Sequence, residues 1–499
     1  MALRLLIAAA LFLASAASAH AELVKLDPAQ PQRSAELAHA AGGTALAPEI
    51  GIWRVPDSAV AGLRRAGVIQ VSRREGVLTP DSSARATDPF VSLQWWRPVV
   101  GADAVDPPGP GTPVTVVDSG LDVTHPEFAG RPNTELLNRQ STVEGDEDHG
   151  TEVSSVVAAP NNGIGVVGVY PDAVLRVWDA SPYGALLEGS AIQGIREAAI
   201  RGPGVINLSF GGDEDDPLLR DAVMFAVRSG SLVVAAAGNG GSEGSPLEYP
   251  AAYPHVLSVG ATNESGNVAA FSTIGPTVDL VAPGVRIYVA EPLSFPSSSG
   301  YDFAPGTSFS APMVAGAAAW VWTARPDLDN TQLFELMRRS ARDIGRPGFD
   351  ITSGYGVLDI PAALKFRTPV GDPQEPNEQP SQIEPKRLFT DGMDPLTRPG
   401  HLTSSLRAHV DRNEDPLDLY RIWAPPGTTV RVQALGSVAL RILQRSATPE
   451  KKAPLATGKH GTVSYRNPGK VGSFVYLEVR PAGATREAEY NLSLTAARR

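Results

Sequence analysis

Three separated segments of the chain carry the residue types that hydroxyl-based hydrolysis of a carbonyl compound needs. Asp118 ends the apolar run 114–117, His149 precedes a Gly-Thr pair, and Ser308 lies in the segment GTSFSAPM. A serine hydroxyl attacks a carbonyl when a base takes its proton, a carboxylate orients that base and donors hold the oxyanion. Because the chain contains no cysteine, a thiol nucleophile and thiolate metal sites are excluded. The three segments therefore favour acyl transfer through Ser308.

The serine segment is the strongest of these signals. An aspartate often ends a strand as a turn former, and a lone histidine is more often structural than catalytic. His125 precedes a proline and His255 precedes an apolar strand, so we interpret both as structural. Ser308, in contrast, begins a run of small residues typical of a close-packed helix. The N-terminus of a helix favours negative charge by about 0.3–1 kcal/mol when exposed, which suits a developing oxyanion.

Apolar runs alternate with helical patterns between residues 88 and 366. Such alternation predicts a doubly wound, mainly parallel α/β sheet, whose functional groups gather at the carboxyl ends of the strands. The predicted strands are 114–117, 174–178, 205–208, 232–236, 256–259 and 278–281. The predicted helices are 151–159, 190–200, 216–229 and 307–323.

The flanking regions differ from this core in composition. Residues 1–21 have the charged start, short apolar run and small-residue cleavage sites of a signal peptide, which predicts a secreted protein. Residues 22–87 predict a small propeptide-like segment with strands at 22–26 and 51–55. The polar, proline-rich stretch 367–385 is typical of a linker. Residues 386–499 alternate in short segments, including 429–433 and 473–479, which predicts a small all-β sandwich.

Charge and hydropathy exclude two classes of partner. The net charge of −11 and the lack of basic runs argue against a nucleic-acid surface, which needs clustered lysine and arginine. After the N-terminal segment, no stretch reaches the roughly 20 apolar residues that span a bilayer. We therefore expect a mature protein without a nucleic-acid partner and without a membrane span.

The motifs DSG at Asp118, HGT at His149 and GTSxSAP at Ser308 together resemble the subtilisin-like serine proteases, in that family's order along the chain. The resemblance covers about residues 88–366, and it implies a monomeric enzyme that acts on protein or peptide substrates. It implies that Asn239, in the segment AAAGN, donates its side-chain amide to the oxyanion. It also implies a substrate edge and a primary pocket. Those substrate-binding residues are Ser209, Phe210, Gly211, Gly212, Ala237, Gly238 and Glu248.

The acidic residues near this edge admit two interpretations. Glu248, where the family has the floor of its primary pocket, and the acidic run 213–216 resemble the branch that cuts after basic residues. Alternatively, Asp216 caps a helix that begins at Pro217, and the other carboxylates are solvated. Charge runs are weak evidence for a site, so the second interpretation is favoured.

A structural calcium ion is the one cofactor that the resemblance implies, and none is required for the chemistry. The segment 160–166, PNNGIGV, resembles a subtilisin loop in which Asn162 offers a side-chain oxygen, and Glu127 matches a carboxylate ligand. Oxygen ligands suit Ca²⁺. A glycine-rich loop without a metal accounts for the same residues.

Two features depart from a simple protease. The HGT motif is followed by Glu152-Val-Ser-Ser, where the family usually has His-Val-Ala-Gly, and a carboxylate one turn from His149 can change the imidazole pKa. A catalytically silent binding protein on the same fold is therefore the rival hypothesis. The tail resembles the bacterial pre-peptidase C-terminal domain through the segments EPNE, at 375–378, and DLY, at 418–420.

Overall fold

A computed structural model describes residues 21–74, 88–138, 149–294, 299–445 and 454–497. Backbone contacts divide the chain into two units, Met1–Ala84 and Arg85–Arg499. The predicted signal peptide lies outside the described residues except for Ala21, and Asp148, which precedes the predicted base, also lies outside them. Over the described ranges, no helix has the length and apolar character needed to cross a membrane.

The N-terminal unit is a small α/β fold with a four-stranded antiparallel sheet of order β2-β3-β1-β4. Val24, Val55 and Leu63 are buried in its core. The two predicted strands are present, but the sequence analysis did not predict the helices. The buried residues of α1, Ser34 and Ala38, are small and give no pattern of large apolar residues. Its elements are β1 (Ala21–Leu26), α1 (Pro31–Ala40), β2 (Thr44–Ala47), β3 (Ile52–Pro56), α2 (Asp57–Arg65) and β4 (Ile69–Arg74), with a 3₁₀ turn at Pro48–Ile50.

A seven-stranded parallel sheet forms the centre of the second unit, in the order β11-β10-β9-β8-β5-β7-β6. Its strands are apolar on both sides because helices cover both faces. Val116 packs into one core and its neighbour Val117 into the other. The predicted doubly wound sheet is confirmed. The strands are β5 (Val114–Asp118), β6 (Thr134–Leu136), β7 (Leu175–Asp179), β8 (Val205–Leu208), β9 (Leu232–Ala236), β10 (Val256–Thr262) and β11 (Leu280–Pro283).

Two helices on one face of this sheet bring distant segments together. In the chain, α4 (His149–Ala158) and α7 (Thr307–Ala324) lie in the same core, and glycine lets them approach closely. A methyl group at Gly316 of α7 would lie 3.2 Å from the Val169 side chain and 3.4 Å from the Val157 oxygen of α4, so a side chain would fit only tightly there. The other face carries α5 (Glu188–Ile200) and α6 (Pro217–Arg228). The remaining elements are α3 (Trp96–Val100), β12 (Ile287–Ala290), β13 (Tyr301–Ala304), α8 (Asn330–Arg339), α9 (Ile360–Lys365) and 3₁₀ turns at Val91–Leu93 and Gly241–Glu243.

The C-terminal residues form the predicted all-β sandwich. Two four-stranded sheets, of order β14-β21-β16-β19 and β15-β20-β17-β18, enclose one apolar core. Val432 from one sheet and Leu477 from the other are both fully buried there. Its elements are α10 (Pro380–Ile383), β14 (Thr403–Asp411), β15 (Asp418–Ala424), β16 (Thr429–Leu435), β17 (Val438–Gln444), β18 (Ala456–Thr457), β19 (Thr462–Arg466), β20 (Ser473–Pro481) and β21 (Glu487–Ala497).

The stretch with linker composition is packed rather than solvated. Asp372, Glu375, Asn377 and Ile383 are all buried. A polar stretch acts as a linker when water solvates its side chains. Here the side chains contact one another, the α/β part and the β-sandwich instead.

A fully buried arginine joins the sandwich to the α/β part of the second unit. Arg338 of α8 pairs with Asp279 at 2.9 Å, with Glu335 at 2.7 Å and with Asp411 of β14 at 3.1 Å. Its guanidinium also lies 5.0 Å from the ring centre of Tyr355. Three carboxylates around one cation compensate the large desolvation cost of a buried charge. Glu335 also pairs with Arg339 at 2.5 Å, and Asp411 lies 3.8 Å from Arg486, so Asp279 is the carboxylate that depends most on Arg338.

We expect Arg338→Ala to lower the free energy of unfolding by about 3–5 kcal/mol, because it leaves the buried Asp279 carboxylate without its counter-charge. The measurement is urea denaturation of the full chain. Arg220→Ala is the matched control, since Arg220 pairs with Asp215 at the surface, where both side chains are at least one third exposed. That control should change stability by about 1 kcal/mol or less. Equal effects of the two substitutions would contradict this account.

Candidate active site

Asp118 and His149 are joined by a hydrogen bond. Asp118 is the last residue of β5 and is 1% exposed. Its Oδ1 accepts the backbone N–H of Ser119 at 2.7 Å and lies 2.8 Å from His149 Nδ1. An imidazole that donates from Nδ1 to a carboxylate keeps Nε2 as a proton acceptor. The pair therefore presents a base held in one tautomer.

The turn after β5 fixes where α4 begins. The backbone N–H of Gly150 donates to Ser119 Oγ at 2.9 Å. A methyl group at Gly150 would lie 2.2 Å from the Gly120 oxygen, so a side chain at this position would force the two segments apart. The glycine of the HGT motif thus permits the approach that brings His149 to Asp118.

Ser308 occupies the first turn of α7 and is half-buried. Its Oγ donates to the Ser209 backbone oxygen at 3.2 Å, and Ser209 Oγ donates to the Ser308 backbone oxygen at 2.9 Å. The ring of its neighbour Phe309 lies 5.9 Å from the His149 imidazole, between ring centres. The start of α7 is therefore adjacent both to the imidazole and to the segment that follows β8.

Asn239 follows β9 and has a fixed amide orientation. Its Oδ1 accepts the Thr307 backbone N–H at 3.0 Å and the Thr307 hydroxyl at 3.1 Å. A backbone N–H can only donate, so Nδ2 is the atom that points away from Thr307. A methyl group at Gly306 would lie 3.6 Å from both Asn239 Nδ2 and the Ser308 backbone nitrogen. The two nitrogens therefore flank one small space beside Ser308.

The predicted substrate edge lies beside this space. Ser209 is buried and Phe210 is half-buried, while Gly211 and Gly212 are exposed. Gly212 already pairs in both directions with Tyr249, at 3.0 and 2.8 Å. Among the four predicted edge residues, Ser209 is therefore the one that contacts Ser308, and Gly212 is the one that already pairs with another segment.

Glu248 lies between the segments that follow β8 and β9. A methyl group at Gly238 would lie 2.0 Å from its Oε1, and one at Gly211 would lie 3.1 Å from its Oε2. Burial raises the pKa of Glu248, the N–H of Asn239 opposes that rise, and the carboxylates of Asp213 and Glu243 add to it. Ala237, before Gly238, is buried and donates its N–H to β10. Glu248 is thus a half-buried carboxylate among like charges.

Two residues of the acidic run 213–216, Asp215 and Asp216, have local partners. Asp216 caps α6 by accepting the backbone N–H groups of Leu218 and Leu219, at 2.6 and 2.8 Å. Asp215 pairs with Arg220 at 2.9 Å. The interpretation of Asp216 as a helix cap therefore agrees with its contacts. The accompanying interpretation of the other carboxylates as solvated does not apply to Glu248, which is half-buried.

The predicted calcium ligands lie together with one residue that the sequence analysis missed. Glu127 Oε1 accepts the Val166 N–H at 2.8 Å and the Tyr301 hydroxyl at 3.0 Å, and the Asn162 side chain also bonds to this carboxyl group. Asp88 accepts the Gly163 N–H at 2.5 Å. Asp88 has no sequence signal, because its place beside the loop arises from folding.

This cluster leaves oxygens without donors. Within the described ranges, buried Glu127 Oε2, Asp88 Oδ2 and Asn161 Oδ1 have no hydrogen-bond partner. Burial is the main reason that the pKa of Glu127 rises to about 8, and the charge of Asp88 contributes. Unpartnered buried carboxylate and amide oxygens are the ligands that Ca²⁺ prefers, so the residues present fit this ion.

The other two histidines of the α/β part differ in their surroundings. His125 is buried, with Nε2 2.8 Å from the Gly300 oxygen and Nδ1 accepting the Glu127 N–H at 3.1 Å, as expected for a structural residue. His255 contacts the distant acids Glu375 and Glu378. Its role could not be read from the adjacent strand, because both partners belong to the stretch with linker composition.

Comparison with known proteins agrees with the order of the motifs. Residues 109–356 match the subtilase family. The chain is 37% identical over 260 residues to subtilisin BL of Lederbergia lenta, covering 52% of this chain and 92% of that protein. It is also 37% identical over 263 residues to subtilisin NAT of Bacillus subtilis subsp. natto, covering 52% of this chain and 66%, just under two thirds, of that protein.

Among solved structures, a protease of Pseudoalteromonas arctica is 26% identical, covering 56% of this chain and 99% of that chain, with a TM-score of 0.48. An identity of 37% across nearly the whole of subtilisin BL is decisive. The chain belongs to the subtilase family, the subtilisin-like serine proteases.

Proposed function

We propose that the protein is a secreted serine endopeptidase that hydrolyses protein or peptide substrates through an acyl-enzyme on Ser308. The observation that carries the proposal is the 2.8 Å contact between Asp118 and His149, with the first turn of α7 beside the imidazole. The signal-like N-terminus supports secretion. In this scheme residues 22–87 act as a pro-segment that is removed on maturation.

His149 acts as general base and then as general acid. Ser308 gives up its hydrogen bond to the Ser209 oxygen, passes its proton to His149 Nε2 and attacks the peptide carbonyl carbon. Asp118 keeps the imidazole in the tautomer that accepts this proton and stabilises the imidazolium. His149 then protonates the leaving amine, and water hydrolyses the acyl-enzyme by the same proton transfers in reverse order.

The tetrahedral oxyanion is held between Asn239 Nδ2 and the Ser308 backbone N–H. Both nitrogens flank the space beside Gly306, and Thr307 prevents the Asn239 amide from turning over. Donors that are oriented before reaction stabilise the developing charge without reorganisation. The dipole of α7 contributes in the same direction.

The substrate backbone adds as a strand beside Ser209, Phe210 and Gly211. Its side chain on the acyl side of the cleaved bond enters the slot between Gly211 and Gly238, where Glu248 lies. Glu248 forms no ion pair within the described residues. A lysine or arginine side chain would supply the missing positive charge, so we assign a preference for basic residues to this slot.

Glu127, Asn162 and Asp88 would hold a calcium ion, and that ion would stabilise the loop 160–166. Bound there, the cation would supply the positive charge that the unpartnered oxygens of Glu127 and Asp88 lack. The ion takes no part in the chemistry at Ser308. When bound, it would fix the loop 160–166 against the segment around Asp88, which the Gly163 N–H already contacts.

We expect Asn239→Ala to lower kcat by about 10²–10³-fold with a much smaller change in KM, because the lost donor acts in the transition state; this is the cost of removing one such donor in a subtilisin. The measurement is steady-state hydrolysis of a peptide amide by the processed protein. Asn263→Ala is the matched control, since Asn263 accepts N–H groups within its own turn.

Ser308→Ala should abolish turnover. A catalytically silent binding protein would show no turnover in the wild type.

We expect Glu248→Gln to lower kcat/KM for substrates with lysine or arginine before the cleaved bond by about 10-fold or more, the value of a charge-assisted contact. Hydrolysis after leucine or phenylalanine should change little. Profiling with a peptide library measures both. Glu214→Gln is the control, because Glu214 is an exposed member of the same acidic run. Wild-type protein that cuts preferentially after apolar residues would contradict the assignment while leaving the mechanism intact.

A further inference from the structure

One end of the β-sandwich, where β15 ends and β20 begins, carries an open groove lined by aromatic side chains. Its volume is about 810 Å³, within the range of about 300–1,000 Å³ that is usual for ligand sites. Trp423, Tyr465 and Phe474 line the groove, and all three are half-buried. Leu455, also in the lining, is 41% exposed, and Val471, two residues before β20, is 74% exposed. Grouped apolar side chains that remain in contact with water are typical of an interaction site.

The aromatic wall of this groove is held in place by contacts within the sandwich. Trp423 of β15 and Phe474 of β20 are cross-strand partners, with ring centres 4.9 Å apart at an interplanar angle of 67°. A methyl group at Gly472 would lie 2.2 Å from the Trp423 ring, so a glycine is needed there to make room for the indole. The Arg445 guanidinium lies 5.8 Å from the Phe474 ring centre and forms hydrogen bonds of 2.8 and 2.7 Å with the buried Glu384. Because these side chains are already ordered, a ligand loses little affinity to side-chain entropy.

Polar groups in the same groove are free to bind a ligand. Within the described ranges, the Trp423 indole N–H, the Tyr465 hydroxyl and the Gln444 amide form no hydrogen bond. Together they offer donors and acceptors that match hydroxyl groups. The face of an aromatic ring is negative, so it attracts the C–H groups on the face of a sugar ring. Flat rings beside free donors and acceptors therefore favour a carbohydrate ligand over a purely apolar one.

The strands around the groove are basic, although the whole chain has a net charge of −11. Residues 421–481 contain ten lysine and arginine residues but only two acidic residues, Glu450 and Glu478. Glu478 is 1% exposed and pairs with Arg441 and Arg480 away from the groove lining. The surface around the groove thus carries an excess of positive charge, which attracts an anionic partner.

Two cations without an acidic partner border the groove. Arg466 follows Tyr465 at the end of β19, and Lys470 lies two residues before Gly472. Both are exposed, and neither forms an ion pair in the part of the chain that the structure describes. No run of more than two lysine or arginine residues occurs between residues 421 and 481, whereas nucleic-acid surfaces need clustered cations for successive phosphates. Separate cations fit carboxylates that are spaced along a polymer.

We propose that this groove binds an acidic polysaccharide, a polymer of sugar rings that carry carboxylates, and anchors the protein to it. A sugar ring stacks on Trp423, while the Tyr465 hydroxyl and the Gln444 amide bind its hydroxyl groups. Arg466 and Lys470 pair with carboxylates of the polymer. The site is separate from the segments of the candidate active site and does not depend on the proposed peptidase activity.

The test measures binding of the full-length protein to two uronic-acid polymers, polygalacturonate and alginate, by isothermal titration calorimetry. A serine-directed inhibitor is present to prevent autolysis. We expect Trp423→Ala to weaken binding by about 3- to 10-fold, the value of one aromatic contact. The double variant Arg466→Gln/Lys470→Gln should weaken binding by about 5-fold and make the affinity less sensitive to NaCl. The matched control is Lys365→Gln/Arg367→Gln, which removes two exposed cations outside the sandwich and should leave the affinity unchanged.

Neutral dextran should not bind, because it offers no carboxylates. The proposal is overturned if neither uronic-acid polymer binds at about 1 mM sugar acid, the weak end of specific affinities. It is also overturned if the double variant binds as tightly as the wild type, or if oligo(dT) or phosphatidylglycerol vesicles bind more tightly than both polymers. Should Trp423→Ala fail to fold, Tyr465→Phe replaces it: weaker binding supports the groove, and unchanged binding contradicts it.

Discussion

The contact between Asp118 Oδ1 and His149 Nδ1 joins the end of a buried strand to the start of a helix, and the geometry of the active site depends on it. Both ends are fixed by backbone constraints. Asp118 ends a strand that is buried along its whole length, and Gly150 lets α4 approach the turn after that strand. Since β5, β8 and β9 are adjacent and parallel, the segments that carry Asp118, Ser209 and Asn239 leave the sheet at the same edge.

Residues in the first turn of α7 hold the other groups of the site in place. Thr307 holds the Asn239 amide, and its neighbour Ser308 exchanges hydrogen bonds with Ser209. Glu248 adds an uncompensated negative charge to the site, because its carboxylate is half-buried beside other acids. A cationic substrate side chain would compensate that charge, which is the electrostatic basis of the proposed specificity.

The sequence predicted the features that depend on local pattern. The run 114–117 indicated a buried strand, and the small residues after Ser308 indicated a close-packed helix; the structure contains both as β5 and α7. Asp216 was recognised as a helix cap because capping depends on adjacent residues. Which residues form the triad remains a prediction that the motifs and the geometry support.

Features that depend on long-range packing could not be predicted in this way. His255 acquires its meaning from Glu375 and Glu378, more than a hundred residues along the chain. Asp88 joins Glu127 through folding alone. The stretch 367–385 has the polar, proline-rich composition of a solvated linker, yet its acids are buried against the sandwich, since composition carries no information about which polar groups contact one another.

The central claim is that an imidazole held by Asp118 activates Ser308. The most direct measurement is reaction of the processed wild-type protein with a fluorophosphonate, followed by peptide mapping of the adduct by mass spectrometry. The account predicts one adduct per chain, on Ser308, formed at least 10²-fold faster than in His149→Ala, since general-base assistance contributes about 10²–10⁴-fold. Absence of the adduct, or an equal rate without the imidazole, would contradict it.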